Sequence, residues 1–331
     1  MGRATTSALD GPAPDRTRWA GTPLLADALM LAAAIAAFFV FPDNLGLLAR
    51  ILVMMVFVLS IDWVLGYAGI ATLGQAAMYG AGAYAAGLLA VHVAGDPLLG
   101  LLAGAVAGAL IAFASGLVLM RMHGLTLLVV SIAIAQVCQE IANQARPVTG
   151  GADGLSGVTV NSIFGRFEFD LAGHTAYWYA LAVLVAVFIC LRVLSAAPLG
   201  LSARGIRESA ARMAAIGSPV YRRLVVIYTI GGAIAGIAGA LSAQITELVS
   251  LEVFAFVLSA EAVLMLVMGG AGRLYGAILG TLIFMSLQHV ASAADPYTWL
   301  SAIGLLVLAV VFFVPKGLIE LPVALRRLRR P

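Results

Sequence analysis

Apolar residues in this chain come in long blocks, and polar positions are confined to the gaps between them. The blocks are Leu24–Phe41, Leu47–Leu65, Met78–Val93, Leu98–Met120, Leu125–Asn143, Ala176–Leu194, Leu224–Thr246, Phe256–Gly269, Leu274–Ala291 and Thr298–Val314. A helix needs roughly 20 mostly apolar residues, at about 1.5 Å each, to cross about 30 Å of hydrocarbon. Met78–Val93 and Phe256–Gly269 are short by that measure. No segment alternates apolar and polar positions as a barrel strand does. The pattern predicts an all-α integral membrane protein with about ten transmembrane helices.

Composition excludes the other broad classes. Of 331 residues, 62% are hydrophobic and 11% charged, with a mean hydropathy of +1.04. Soluble domains average about 25% charged residues, and disorder requires high charge with low hydrophobicity. The net charge of +3 matters less than its placement. With the N-terminus inside and the spans alternating, the inner segments collect Arg3, Arg16, Arg18, Arg121, Arg273, the arginines of 192–223 and the basic C-terminus. The outer side keeps Arg50, Arg146 and Arg166, together with acids such as Asp43, Asp96, Asp153 and Glu252. This asymmetry predicts a multi-pass protein with both termini in the cytoplasm. Residues 1–23 are then a cytoplasmic leader, 24–314 a transmembrane domain and 315–331 a basic cytoplasmic tail. The transmembrane domain carries an outer loop over 144–175 and an inner loop over 195–223. The first apolar block is longer than a signal-peptide core and reads as a retained anchor. Cys138 and Cys190 both fall in apolar runs and read as free thiols.

Glycines recur at four-residue intervals at Gly100, Gly104 and Gly108, at Gly232 and Gly236, and at Gly276 and Gly280. Such spacing lets membrane helices approach closely and marks packing seams. The stretch from Gly66 to Gln75 is different: glycine-rich, uncharged, and placed where a span should turn. It predicts a broken helix near 66–78, of the kind found beside a substrate path. Gly269–Gly276 is a partial counterpart in the second half, and five spans per half suggest two inverted five-helix repeats. The candidate path residues are Gly66, Tyr67, Gly69, Gly74, Gln75, Gly269 and Gly270, with the intramembrane carboxylates Asp62 and Glu261. A mid-bilayer carboxylate is disfavoured by roughly 2.5–3.5 kcal/mol and should face protein or water. Gln136, Gln139 and Asn143 fall on neighbouring turns of one helix and could hydrogen-bond helices together. The four histidines have no metal-ligand spacing.

In the inner loop, 204–217 reads RGIRESAARMAAIG. Ile206, Ala210, Met213, Ala214 and Gly217 form one apolar stripe, and Arg204, Glu208 and Arg212 lie four apart on another face. The expectation is one short amphipathic helix, stopped by Gly217 and Pro219, able to dock into a partner's groove.

Four blocks resemble the LivM-type permeases of branched-chain amino acid ABC importers. They are Gly66–Tyr67–Ala68–Gly69 with Leu73–Gly74–Gln75 and Gly82–Ala83–Tyr84; Thr149–Gly150–Gly151–Ala152–Asp153–Gly154–Leu155; Pro198–Leu199–Gly200 with Ile206–Arg207–Glu208, Ala214–Gly217 and Ala235–Leu241; and Glu261 with Gly269–Gly270–Ala271–Gly272 and Gly276. Ser209 and Ala210 depart from the family's usual Asn-Glu, Asp62 from its frequent Asn, and Arg273 adds a charge. The resemblance implies an inner-membrane transport subunit, not an enzyme, that binds no cofactor or metal of its own. ATP and Mg would sit on two cytoplasmic ATPase subunits, in keeping with the absence of a phosphate-binding GxxxxGK[ST] loop from this sequence. A second homologous permease, giving a heterodimer, and a periplasmic binding protein complete the implied assembly, with lipid and without nucleic acid. Arg204, Arg207, Glu208, Arg212 and Gly217 would couple to the ATPase, and Gly150, Gly151 and Asp153 would lie on the binding-protein side. Urea, short-chain amides or aromatic acids are alternative cargoes. A proton-coupled secondary transporter using Asp62 or Glu261 is the alternative of another class.

Overall fold

The computed structural model describes residues 23–93, 95–161 and 173–294, with 301, 304, 305 and 308. Most of the leader, residues 162–172 of the outer loop, most of the last block and the basic tail lie outside them. The described chain is helical, in the order α1 (Pro23–Val40), α2 (Leu45–Ile61), α3 (Gln75–His92), α4 (Pro97–Leu119), α5 (Leu125–Gln144), α6 (Arg146–Thr149), α7 (His174–Ala196), α8 (Pro198–Glu208), α9 (Ala210–Ala215), α10 (Val220–Thr246), α11 (Phe256–Gly269) and α12 (Leu274–Ala294). The nine apolar blocks that fall on described residues each become a helix. Among the described residues, six helices are long and apolar enough to cross a membrane: Pro42–Tyr67, Pro97–Leu119, Leu125–Gln144, His174–Ala196, Val220–Thr246 and Leu274–Ala293. α1 belongs to a compact unit that ends at Leu45, and the other helices form a second unit from Gly46 onward.

Within the second unit, every residue from Ile51 to Val64, along α2 and into the turn after it, is buried. α3, α4 and α10 pack together through the spaced glycines. A Cβ at Gly82 would strike the backbone of Gly236, and one at Gly239 the carbonyl of Tyr79. Gly104 and Gly108 of α4 likewise meet the backbone of Gly236 and Gly232. These glycines form the packing seam that their spacing predicts, bringing helix axes close enough for backbone contact. A second seam joins α11 to α12, where Gly269 meets Gly276 and Gly280. α4, α7 and α10 are tied by a buried polar node. Gln244 Nε2 donates to the Pro97 carbonyl at 2.8 Å, and the Tyr179 hydroxyl donates to Gln244 Oε1 at 2.8 Å. Each polar group there has a partner, as burial in hydrocarbon demands.

One expectation is corrected. The inner loop is not a single helix over 204–217. Ser209 is extended, at φ −163° and ψ 102°, and separates α8 from α9. Its hydroxyl accepts from the Arg212 backbone N–H at 3.2 Å, so Ser209 acts as an N-cap instead of continuing the helix. The stripe running from Ile206 through Ala210 to Gly217 is therefore interrupted. Ile206 is buried, whereas Ala210, Ala214 and Ile216 are exposed.

Candidate functional site

α2 does not end cleanly. Residues Asp62–Tyr67 widen into a π-type turn, and helix resumes only at Gln75. Such turns insert an extra residue into the ladder and recur at functional positions. The break anticipated near 66–78 is thus the stretch 68–74, which joins α2 to α3. Trp63 anchors the wide turn by donating its indole N–H to the Ile227 carbonyl at 3.1 Å.

Three chain segments meet at this turn. Asp62 is wholly buried, and its Oδ1 accepts from the backbone N–H of Gly272, in the α11–α12 connection, at 2.6 Å. The approach requires glycine at position 66, because a Cβ there would lie 2.5 Å from the Gly272 nitrogen and 2.9 Å from the Asp62 carboxyl carbon. Arg207, on α8, donates through Nη1 to the Gly66 carbonyl. Its stem also runs beside Gly69. Arg204, one turn earlier, sits over the Tyr67 ring at 4.9 Å, a cation–π contact. Asp62 and Arg207 therefore converge on Gly66 and Gly272, each through a backbone group and not through an ion pair with the other. Asp62 Oδ2 has no hydrogen-bond partner.

The start of α3 is secured from other helices. An exposed helix end leaves its first N–H groups unpaired, and in a membrane something must satisfy them. Leu73 N–H donates to Ser131 Oγ on α5 at 3.1 Å, and Ala76 N–H to Ser259 Oγ on α11 at 2.8 Å. Thr72 Oγ1 accepts from Gly74 N–H at 3.1 Å. Gln75 is fully buried among them, and both polar atoms of its side chain lack a partner. Ser259→Ala leaves the Ala76 N–H unpaired. Loss of a cap corresponds to about 0.5–2 kcal/mol, so a lowered midpoint in equilibrium unfolding of the detergent-solubilised chain is expected.

The structure therefore gathers Asp62, Gly66, Tyr67, Gly69, Arg204 and Arg207 into one cluster, with Gly74 and Gln75 at the adjoining helix start. The other expected residues lie elsewhere. Glu261 is half-buried on α11 and outside the cluster. Gly269 and Gly270 pack against Gly276 within the α11–α12 hairpin. Glu208, Arg212 and Gly217 are exposed. Gly150 and Gly151, both at positive φ, shape a tight turn beside exposed Asp153. An isolated antiparallel bridge between Leu155 and Val249 fastens this turn to the segment after α10. Gly272, Ser131 and Ser259 were not among the expected site residues. Gly272 lies in the glycine block after Glu261, but nothing in that block marks its N–H as the partner of Asp62.

A cavity of about 840 Å³ opens between α4 and α7, lined mainly by apolar side chains such as Leu102, Trp178, Val187 and Ile237. It offers little for a charged or zwitterionic solute.

Comparison with known proteins agrees with the motifs. The sequence model of a family described as the permease component of branched-chain amino acid transport systems matches residues 44–314. The chain is 26% identical over 322 residues to the high-affinity branched-chain amino acid transport system permease protein LivM of Escherichia coli (strain K12), covering 89% of this chain and 74% of the relative. The LivM protein of Salmonella typhimurium (strain LT2) is similar at 26% identity over the same coverage. No solved structure matches this chain.

Proposed function

Because this chain belongs to the family of branched-chain amino acid transport permeases, we propose that it is the membrane-spanning subunit of an ATP-driven importer. Its cargo is a branched-chain amino acid delivered by a periplasmic binding protein. A second, homologous permease completes the membrane part, and two cytoplasmic ATPases supply the energy, with ATP and Mg bound on those chains. The protein resides in the inner membrane with both termini in the cytoplasm, as its arginine distribution favours.

The observation that carries this reading is the contact between Arg207 and the Gly66 carbonyl. It runs from α8, between the spans α7 and α10, to the turn that ends α2. Beyond Ser209, α9 exposes Ala210, Ala211, Ala214 and Ala215, followed by Ile216 at 77% exposure. A short apolar helix projecting on the arginine-rich side suits the groove of another subunit. Displacement of α8–α9 then reaches the α2–α3 and α11–α12 connections together, because Arg207, Gly66, Asp62 and Gly272 are in direct contact. Asp62 serves in this scheme as a buried cap on a backbone amide, and no proton transfer is needed.

The test is leucine uptake into inside-out-corrected proteoliposomes holding both permeases, the ATPases and the binding protein. Uptake should require ATP. Uphill uptake by this chain alone, driven by a pH gradient, overturns the proposal. Glu208→Arg reverses a charge at the exposed end of α8 and is expected to lower ATP-driven uptake several-fold, with normal membrane insertion by immunoblot.

A further inference from the structure

α4 and α5 are both sparsely covered by the rest of the chain, and both expose apolar side chains, on α5 Leu125 and Val129 near its start, but the second half of α5 adds polar ones. Along α4 the exposed stripe is Leu99, Leu102, Val106, Leu110, Phe113 and Leu117, apolar throughout and suited to lipid. On α5, Gln136 and Glu140 are exposed, and Gln139 and Asn143 are half-exposed beside them. At about 100° per residue these four side chains fall within about 100° of arc. The exposed Val137 and Ile141 lie on the neighbouring edge of the helix. Gln136 is about 12 Å inside the helix end at Gln144, deep enough to meet hydrocarbon if that side faced lipid. Ionisable and amide side chains at such depth face protein or a water-filled cavity.

We infer that the Gln136–Asn143 side of α5 is a wall of the water-filled outer vestibule of the substrate path, the opposite wall coming from the second permease. The inference rests on the importer reading and assigns it a surface. Uncharged amides carry donors and acceptors together, so Gln136, Gln139 and Asn143 hydrogen-bond both the carboxylate and the ammonium of a zwitterion while adding no net charge. Glu140, which accepts from Gln144 at 2.9 Å, adds one acceptor for the ammonium group. The wall adjoins the outer turn, because Thr149 donates its hydroxyl to the Ala142 carbonyl at the same helix end. A solute released above Gly150–Gly154 meets this side of α5 first. The opposite side, through Ser131, holds the start of α3.

The experiment uses the assembled transporter with Cys138 and Cys190 replaced by Ala. Gln136→Cys and Leu110→Cys are each exposed to a membrane-impermeant, cationic methanethiosulfonate from the outer side. Gln136→Cys is expected to react at least tenfold faster than Leu110→Cys, and saturating leucine-loaded binding protein with ATP is expected to slow it. Equal, slow reaction at both positions overturns the inference. Reaction confined to preparations lacking the second permease identifies a dry subunit contact and also overturns it. Fast reaction in an assembly that fails to take up leucine supports the wetted wall and counts against the importer reading instead.

Discussion

Replacing Arg207 with Ala is expected to reduce ATP-driven uptake at least tenfold, while the assembled transporter continues to hydrolyse ATP. The guanidinium is the direct tie between α8 and the turn that ends α2, through the Gly66 carbonyl. Its removal leaves a backbone acceptor unpaired and leaves Arg204 on the Tyr67 ring as the remaining side-chain tie from α8 to this turn, so on the proposed function the coupling through α8 is weakened. The companion change, Asp62→Ala, frees the Gly272 N–H beside the same glycine. Hydrogen bonds to charged groups contribute about 1.5–3 kcal/mol, so this variant should also lose thermal stability. Asp62→Asn keeps an acceptor oxygen for Gly272 and should retain most stability and measurable uptake. Paired measurements of leucine uptake and phosphate release on the same proteoliposomes separate a broken tie from a broken fold. Equal loss of both activities in Arg207→Ala contradicts the role given to that bond.

The largest effect on folding is expected from Gly236→Val. A Cβ at this position collides with the Gly104 carbonyl and lies 3.0 Å from the Gly108 Cα, both backbone atoms of α4. Ordinary overpacking is disfavoured by about 1–3 kcal/mol because side chains move aside. Here no side chain is available to yield, so α10 must leave α4. Most of the protein should then be lost from the monodisperse peak in detergent size-exclusion chromatography. Gly46→Ala, where nothing lies within 4 Å of the added carbon, provides the silent control.

The helices were legible because hydrocarbon imposes one requirement along a whole span, a continuous apolar run, and the blocks met it. The break after Tyr67 was legible for a similar reason, since a run of glycines in an apolar context carries its own signal. Other features left no such mark. The bond from Asp62 to Gly272 joins residues 210 positions apart through a backbone N–H, which every residue but proline possesses. Ser131 and Ser259 are lone hydroxyls in apolar helices, and only the positions of Leu73 and Ala76 give them a task. The interruption at Ser209 came from a conflict between two local rules. Helical spacing of the alanines and arginines favoured one helix, and the N-capping preference of serine favoured two, which is the form the chain adopts. Gln136, Gln139 and Asn143 were visible as polar residues on one helix, but their outward direction depends on what α5 leaves uncovered.

The glycine seams also divide the labour of movement. Helices in backbone contact have no layer of pliable side chains along which to slide, so α3, α4 and α10 are expected to move as one body. The α11–α12 hairpin is welded within itself by Gly269, Gly276 and Gly280 and touches the rest at discrete pins, among them Gly272 on Asp62 and Ser259 on Ala76. On the proposed function, a displacement of α8 at Arg207 would reach this hairpin first through the contact of Gly272 with Asp62.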